Sequence, residues 1–181
     1  MPLAKGGRME SKMNQLNNNN VIKSPNSSNT FLEKEWSCFT VRCAVHLFLV
    51  KNGKILVELR KNRDYCNGQY DVIAAHLTGG LDVYDSIILT AKREVNITIS
   101  SEDLIPIQVM HHNSDGIEYI HYFFIAHNYK GKLKNNEPNY CERLDWVDFK
   151  YPIPNLIYYI NEAIKNYTLN PQDKFTTLGF K

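Results

Sequence analysis

A predicted β-hairpin constrains the fold of this chain more than any other sequence feature. Residues 38–50 are rich in β-branched and aromatic side chains, which favours a β-strand. The Asn52-Gly53 pair that follows tolerates positive φ angles and predicts a tight turn. Residues 55–60 then form the returning strand. The folded region therefore begins with two adjacent antiparallel strands.

The segments after the hairpin alternate between strands and helices. Strand-like composition recurs at residues 70–74, 104–112, 117–127 and 143–147. A helix is predicted at 83–96, where Asn96 can end it, and a second helix extends from Pro154 to about residue 167. The order β-β-β-α-β-β-β-α predicts an α/β fold in which a mixed sheet is covered on both faces.

Residues 1–34 differ in composition from the rest of the chain. The stretch from residue 14 to residue 30 contains seven Asn, and Ser and Pro make up much of the remainder of the segment. Such a stretch has too little apolar surface to offset its ordering entropy. We therefore predict a disordered Asn-rich tail at residues 1–34 and one folded domain at residues 35–181.

Charge and cysteine content exclude several classes of protein. The chain has 21 basic and 19 acidic residues, and its net charge of +2 is too small for a strong nucleic-acid or anionic-membrane interaction. No apolar run approaches the roughly 18–20 residues of a membrane span. The four cysteines form no C-x-x-C pair, which is typical of reduced thiols, and we expect a cytoplasmic protein.

A longer pattern extends from Arg60 to Leu104, where a loop, a strand, the Gly79-Gly80 turn and a helix follow one another. Together with Asn136-Glu137-Pro138 and the segments around it, this pattern resembles the MutT-like branch of the Nudix hydrolase family over about residues 38–180. The resemblance implies an α/β/α sandwich with a mixed β-sheet. It also implies cleavage of a diphosphate linked to a nucleoside or another group, with Mg²⁺ as the cofactor.

The family motif is G-x5-E-x7-R-E-U-x-E-E-x-G-U, in which glutamates about one helical turn apart converge on Mg²⁺. Two alignments of this chain to the motif are open. The first begins at Gly79 and has Asp85 at the first acidic position and Arg93-Glu94 at R-E. In this alignment Ile97 and Thr98 replace the paired glutamates.

The second alignment begins at Ala75, four residues earlier. Leu81 then replaces the first glutamate, Leu89-Thr90 replace R-E, Arg93-Glu94 stand at the paired glutamates, and Asn96 replaces the closing glycine. This alignment continues into the flanking segments without a gap, and we favour it.

Both alignments retain one ligand-position glutamate, Glu94, and Asp85 is a second candidate metal ligand in the first alignment only. One or two carboxylates hold Mg²⁺ weakly unless substrate phosphates contribute. We therefore predict a degenerate Nudix domain that binds a nucleotide or a diphosphate-containing small molecule, with Mg²⁺-dependent hydrolysis weak or lost. The alternatives are an active pyrophosphohydrolase, a repurposed enzyme that uses histidines, and an interaction module. Whether the chain forms a homodimer stays open.

Other side chains are further candidates for the site. The histidines His76, His111 and His121 join Glu94 as candidate catalytic groups because imidazole titrates near neutral pH, whereas His46 in the first strand is expected to be structural. The candidates for substrate contact are Arg60 for phosphate, Tyr122 and Phe124 for base stacking, Glu118 beside the histidines, and Glu137 in a loop. The competing interpretation is core packing for the aromatic residues and solvated loop or sheet positions for the polar ones.

Overall fold

A computed structural model describes residues 39–180 of the chain, and the predicted tail at residues 1–34 lies outside the described residues. The described part contains eight strands, a short 3₁₀ turn (Ser101–Asp103) and two helices. The strands are β1 (Arg42–Lys51), β2 (Lys54–Arg60), β3 (Tyr70–Asp71), β4 (Ile73–His76), β5 (Ile105–Ser114), β6 (Ile117–Ala126), β7 (Cys141–Asp148) and β8 (Phe175–Leu178). The helices are α1 (Val83–Val95) and α2 (Tyr158–Leu169).

Strand β1 lies at the centre of a mixed sheet. It pairs antiparallel with β2 and β4 and parallel with β6. Strand β6 pairs antiparallel with β5, and β5 pairs parallel with β8. On the other side, β2 pairs antiparallel with both β3 and β7. The mixed sheet and the two helices confirm the predicted α/β fold.

The two helices cover opposite faces of the sheet. Successive strand residues point to opposite faces, so Phe48 and Val50 pack with α2 whereas Val45, Leu47 and Leu49 pack with α1. All five side chains are buried. Strand β1 is therefore apolar almost throughout, as expected for a central strand with helices on both sides.

Helix α1 has defined caps at both ends. The Asp82 carboxylate accepts a hydrogen bond from the backbone N–H of Asp85 at 2.8 Å, which satisfies one free donor of the first turn. Asn96 ends the helix in the left-handed conformation, with φ of 59°, as predicted. Ile97 and Thr98 lie beyond this end, whereas Arg93 and Glu94, at the paired-glutamate positions of the second alignment, lie within α1.

Three boundaries differ from the sequence-based expectation. The segment predicted as one strand at residues 70–74 is divided at Val72 into β3, which pairs with β2, and β4, which pairs with β1. Helix α2 begins at Tyr158 rather than at Pro154, after a turn in which the Asn161 side chain bonds both backbone groups of Ile153. Strand β8 follows the last predicted element and was not expected, because four residues carry too little periodicity to identify a strand. No helix within residues 39–180 is long and apolar enough to cross a membrane.

Candidate functional site

A cleft of about 700 Å³ collects half of the ten predicted site residues. Its walls come from β1, β2, β4, β6, both helices and the loops that carry Arg63 and Glu137. Five residues predicted from the sequence line it: Arg60, His76, Glu94, His121 and Glu137. The fold thus brings together side chains that are separated by up to 77 positions in the chain.

Glu94 occupies the last turn of α1 and is 7 % exposed. Its Oε1 atom accepts a hydrogen bond from Arg93 Nη2 at 2.6 Å, and its Oε2 atom accepts one from the Ala74 N–H at 3.3 Å. Burial raises the pKa of Glu94 to about 7, although the Arg93 hydrogen bond opposes the shift. The carboxyl group is therefore poised to exchange a proton near neutral pH.

The Arg93 guanidinium bridges two carboxylates. Besides its bond to Glu94, its Nε atom lies 3.2 Å from Glu137 Oε1. The second oxygen of Glu137 lies 3.6 Å from Arg63 Nη2, and the Arg63 guanidinium stacks over the Tyr140 ring at 4.1 Å. The loop that carries Glu137 is thereby linked to α1 and to the β2–β3 loop through arginine side chains.

A second group of charged residues lies deeper in the cleft. Arg60 pairs with buried Asp71, and Glu58 lies directly opposite Asp71 in the β2–β3 pairing. Burial, followed by the nearby charge of Glu94, raises the pKa of Glu58 well above its ordinary value. The buried Oε1 atom of Glu58 has no hydrogen-bond partner among the described residues. Sequence reasoning missed Glu58 and Asp71, although charged residues inside two apolar strands were a usable signal.

Glu58, Asp71, Glu94 and Glu137 all border a small polar cavity of about 30 Å³. That volume is enough for about one water molecule or small ion. Arg60 and Arg63 also border the cavity, so guanidinium and carboxylate groups alternate around it.

A chain of buried histidines forms the apolar side of the cleft. His46 Nε2 lies 2.9 Å from His121 Nδ1, and His121 Nε2 lies 3.3 Å from His112 Nδ1. Burial lowers the pKa of all three, that of His121 to about 3, so the imidazoles are neutral. The Tyr159 ring stacks on His121 with ring centres 4.5 Å apart. His46, expected to be structural, thus borders the cleft next to His121.

His76 lies at the exposed edge of the cleft. Its ring stacks on Tyr119 with centres 6.0 Å apart, and Tyr119 in turn stacks on His121 at 5.3 Å. The two histidines are therefore joined by an aromatic ring rather than by a hydrogen bond.

Other predicted site residues lie away from the cleft. His111 and Glu118 hydrogen-bond to each other at 2.6 Å, but each is adjacent in sequence to a residue that faces the cleft side. They therefore point to the opposite face of the sheet, and the predicted grouping of His111, His121 and Glu118 does not form. Tyr122 and Phe124 also face the α1 side, where Phe124 is 2 % exposed and packs in the core.

Asp85 also lies apart from Glu94. The two residues occupy opposite ends of α1, nine positions apart, which corresponds to roughly 13 Å along a helix. They cannot bind the same ion, so the metal-ligand pair of the first alignment does not form.

The described residues do not fit the magnesium site that the family resemblance implies. Within residues 39–180 no group of three or more His, Cys, Asp or Glu side chains could hold a metal ion. Both oxygens of Glu94 already accept hydrogen bonds, and both oxygens of Glu137 face guanidinium groups. Magnesium needs several oxygen ligands in octahedral geometry, which this arrangement does not supply.

Comparisons with solved structures identify the fold. A MutT NUDIX hydrolase from Burkholderia pseudomallei superposes with a TM-score of 0.63 and 21 % sequence identity, over 70 % of this chain and 98 % of that chain. A MutT protein from Bacillus halodurans gives a TM-score of 0.61 and 13 % identity, over 76 % of this chain and 90 % of that chain.

A bifunctional NMN adenylyltransferase/ADP ribose pyrophosphatase from Francisella tularensis, complexed with AMP and a manganese ion, gives a TM-score of 0.60 and 14 % identity. That match covers 78 % of this chain and 45 % of that chain. No protein-family model matches the sequence, and no curated protein matches it. The chain therefore has the fold of the Nudix hydrolases, as predicted.

Proposed function

We propose that the cleft binds a nucleotide or another diphosphate-containing small molecule, and that Mg²⁺-dependent hydrolysis of the diphosphate is weak or lost. The observation that carries this proposal is the combination of guanidinium groups and aromatic rings around one cleft. Four arginines line it: Arg42, Arg60, Arg63 and Arg93. Four tyrosines line it as well: Tyr65, Tyr119, Tyr140 and Tyr159.

Arg63 is the arginine best placed to bind a phosphate. Its side chain is 39 % exposed, and its contact with Glu137 is long, at 3.6 Å. Arg60 differs, because its guanidinium is already bonded to Asp71 and to the Tyr65 carbonyl. A guanidinium that is fixed on an aromatic ring loses little entropy when it binds a phosphate in a bidentate manner.

The histidine side of the cleft suits an uncharged ring. His46 and His121 are neutral, and Tyr119 and Tyr159 present ring surfaces beside them. A planar ligand group that stacks there would leave its phosphates toward the arginine side. The solved structure of the Francisella tularensis protein, which shares the fold, contains AMP and thereby supports a nucleotide ligand.

The loss of hydrolysis is supported by the residues at the motif positions. In the second alignment Leu81, Leu89 and Thr90 stand where the motif has charged residues. Glu94 is then the one glutamate left, and Arg93 already pairs with it. Without a set of oxygen ligands for a divalent ion, the diphosphate lacks the positive charge that would neutralise the developing negative charge.

Ligand binding and turnover can be measured separately. We expect nucleoside diphosphates and their derivatives to raise the melting temperature of the protein without being hydrolysed in Mg²⁺ or Mn²⁺. The Arg63→Ala variant should lose most of the shift. The matched control is Arg143→Ala, because Arg143 also lies near a tyrosine ring and an acidic residue, but outside the cleft. Turnover that disappears in Glu94→Gln would instead establish the active-hydrolase alternative.

A metal-independent acid/base reaction in the same cleft is the second candidate function. The observation that favours it is the raised pKa of Glu94, which brings a buried carboxyl group to about 7. His76 lies in the same cleft and is the second candidate acid/base side chain. Turnover in EDTA, with a pH profile that changes in both Glu94→Gln and His76→Gln, would support this candidate over simple binding.

We also propose that the protein is cytoplasmic. The cysteines of the described region, Cys43, Cys66 and Cys141, are free thiols, which suits a reducing compartment. Microscopy of a tagged full-length chain tests this location.

A further inference from the structure

Arg93 makes the most unusual contacts in the cleft. In the second alignment it occupies a position where the Nudix motif has a glutamate. Its guanidinium donates to Glu94 at 2.6 Å and lies 3.2 Å from Glu137, so one cation neutralises two carboxylates that approach from different elements. A divalent ion bridging those carboxylates would have to occupy the same place.

We infer that the Arg93 guanidinium is a built-in cation that takes the place of a divalent ion, so that anionic ligands bind this cleft without metal. This inference rests on the proposed function for the identity of the ligand. It goes beyond that proposal because it assigns the cation, its two carboxylate partners and the metal-independence of binding.

The guanidinium retains groups that can bind a ligand. Its Nε and Nη2 atoms are used by Glu137 and Glu94, whereas its Nη1 atom has no partner among residues 39–180. The Arg93 side chain is 54 % exposed, so this free amino group can be reached from the cleft. Arg63 contacts the other oxygen of Glu137, and the two guanidinium groups therefore stand on either side of one carboxylate.

Metal is excluded by charge as well as by position. A divalent ion next to Glu94 would lie within a few ångströms of the guanidinium, and like charges this close repel strongly in a partly buried site. The neighbouring Arg63 guanidinium adds to this repulsion, whereas Arg60 is already paired with Asp71. The cleft consequently selects anions over free divalent cations.

The same geometry predicts what removal of the guanidinium would do. Glu58, Glu94 and Glu137 border the small polar cavity of about 30 Å³, and Glu58 already has an oxygen without a partner there. Without Arg93, up to three carboxylates could turn toward one point. Carboxylates are the ligands that manganese prefers, so the Arg93→Ala protein should gain a manganese site.

The first test is a manganese titration followed by electron paramagnetic resonance at pH 8, without any nucleotide. Arg93→Ala should bind Mn²⁺ at least about tenfold more tightly than the wild-type protein, since a repelling charge has been removed. Arg93→Lys keeps the positive charge and should resemble the wild type, and Arg93→Ala combined with Glu94→Gln should lose the gain. Circular dichroism establishes that each variant is folded, and Arg93→Gln replaces Arg93→Ala if the latter does not fold.

Two results would overturn the inference. One is wild-type protein that binds Mn²⁺ as tightly as Arg93→Ala; the other is an Arg93→Lys protein that gains the site equally. A second measurement uses ADP, whose thermal shift should be the same in Mg²⁺ and in EDTA, and a shift that requires Mg²⁺ would also overturn the inference. If ADP and related nucleotides bind no form of the protein, the proposed function fails, whereas the manganese comparison still decides the role of Arg93.

Discussion

His46 and His121 share a hydrogen bond of 2.9 Å between two buried, neutral imidazole rings on adjacent parallel strands. His121 also hydrogen-bonds to His112. A neutral imidazole has one N–H donor and one acceptor nitrogen, so both hydrogen bonds can form with each ring donating in the same direction along the chain. Protonation of any ring adds a positive charge to this buried chain. The three histidines therefore connect the stability of the fold to pH.

The first prediction concerns acid stability. In the unfolded chain these histidines bind protons below about pH 6.5, whereas in the folded chain they stay neutral, His121 down to about 3. Unfolding thus takes up protons, and the free energy of unfolding falls as the pH drops below 6.5; His121 contributes up to about 1.4 kcal/mol per pH unit to this fall between about pH 6.5 and pH 3. Urea unfolding between pH 4 and pH 6.5 measures this effect. In His121→Gln the free energy of unfolding should fall less steeply with decreasing pH, because one of the three buried histidines has been removed.

Exposed His127 provides the control for that measurement. His127→Gln should leave the pH slope unchanged, because this substitution removes no buried imidazole. Equal slopes for wild type, His121→Gln and His127→Gln would show that the buried histidines do not govern acid unfolding.

The second prediction concerns Glu94, which makes a contribution of opposite sign to the pH dependence of the free energy of unfolding. Its pKa is about 7 in the folded protein, so between about pH 4.5 and pH 7 the folded chain keeps a proton that the unfolded chain has lost. The contribution of Glu94 to the free energy of unfolding therefore falls as the pH rises through this window. The stability of Glu94→Gln relative to wild type should rise by about 1–3 kcal/mol between pH 5 and pH 7.5.

Glu142→Gln is the matched control for this comparison, since the Glu142 side chain is 54 % exposed. Denaturant titrations at both pH values should give Glu142→Gln the same stability difference from wild type within error. If the difference in unfolding free energy between Glu94→Gln and wild type were also independent of pH, the raised pKa of Glu94 would be contradicted.

The third prediction concerns the buried pair of Arg60 and Asp71. Replacing Arg60 with Leu leaves the Asp71 carboxylate in the core with one remaining hydrogen-bond donor among the described residues, the Val72 N–H. Loss of one member of a buried ion pair costs about 3–5 kcal/mol, so the variant should unfold at a much lower urea concentration. Lys165→Ala breaks a more exposed ion pair with Glu162 and should cost less than about 1 kcal/mol. A similar cost for both variants would contradict the buried character of the Arg60 pair.

The fourth prediction concerns Gly179, which follows strand β8. Its φ is +78°, and a Cβ atom there would lie 2.1 Å from the Asn113 carbonyl oxygen. Gly116 has a similar φ of +84° but open space around the same position. Gly116→Ala should therefore cost about 1–2 kcal/mol from backbone strain alone, and Gly179→Ala should cost clearly more.

Amide hydrogen exchange gives the more specific reading of this comparison. In Gly179→Ala the β8 amides that bond β5 should exchange faster than in Gly116→Ala, because the clash displaces β8 from β5. Equal protection of β8 in the two variants would contradict a close approach at Gly179.

Local sequence patterns predicted the parts of the fold that depend on local interactions. The turn at Asn52-Gly53 has positive φ at both residues, and helix α1 ends at Asn96 in the left-handed conformation. Both features depend on which φ angles a residue tolerates, so the sequence is sufficient to predict them. The order of elements and the mixed sheet were also predicted, apart from the division at Val72 and the short strand β8.

The candidate site was predicted only in part, because pairing between distant strands decides it. Glu94 and Glu137 were found from the sequence, but Glu58 and Asp71 border the same small polar cavity only because β2 and β3 pair with those residues opposite each other. In the same way, His111 was grouped with His121, yet the alternation of side chains along β5 sends them to opposite faces.

The sequence by itself determined the set of local elements, and it singled out Glu94 as the candidate ligand-position glutamate. What only the tertiary structure decided is what surrounds that glutamate. Burial and the nearby Glu137 carboxylate raise the pKa of Glu94, and Arg93 and the Ala74 N–H bind it. These effects act through space over a few ångströms between residues far apart in the chain, so they exist only once the sheet has paired.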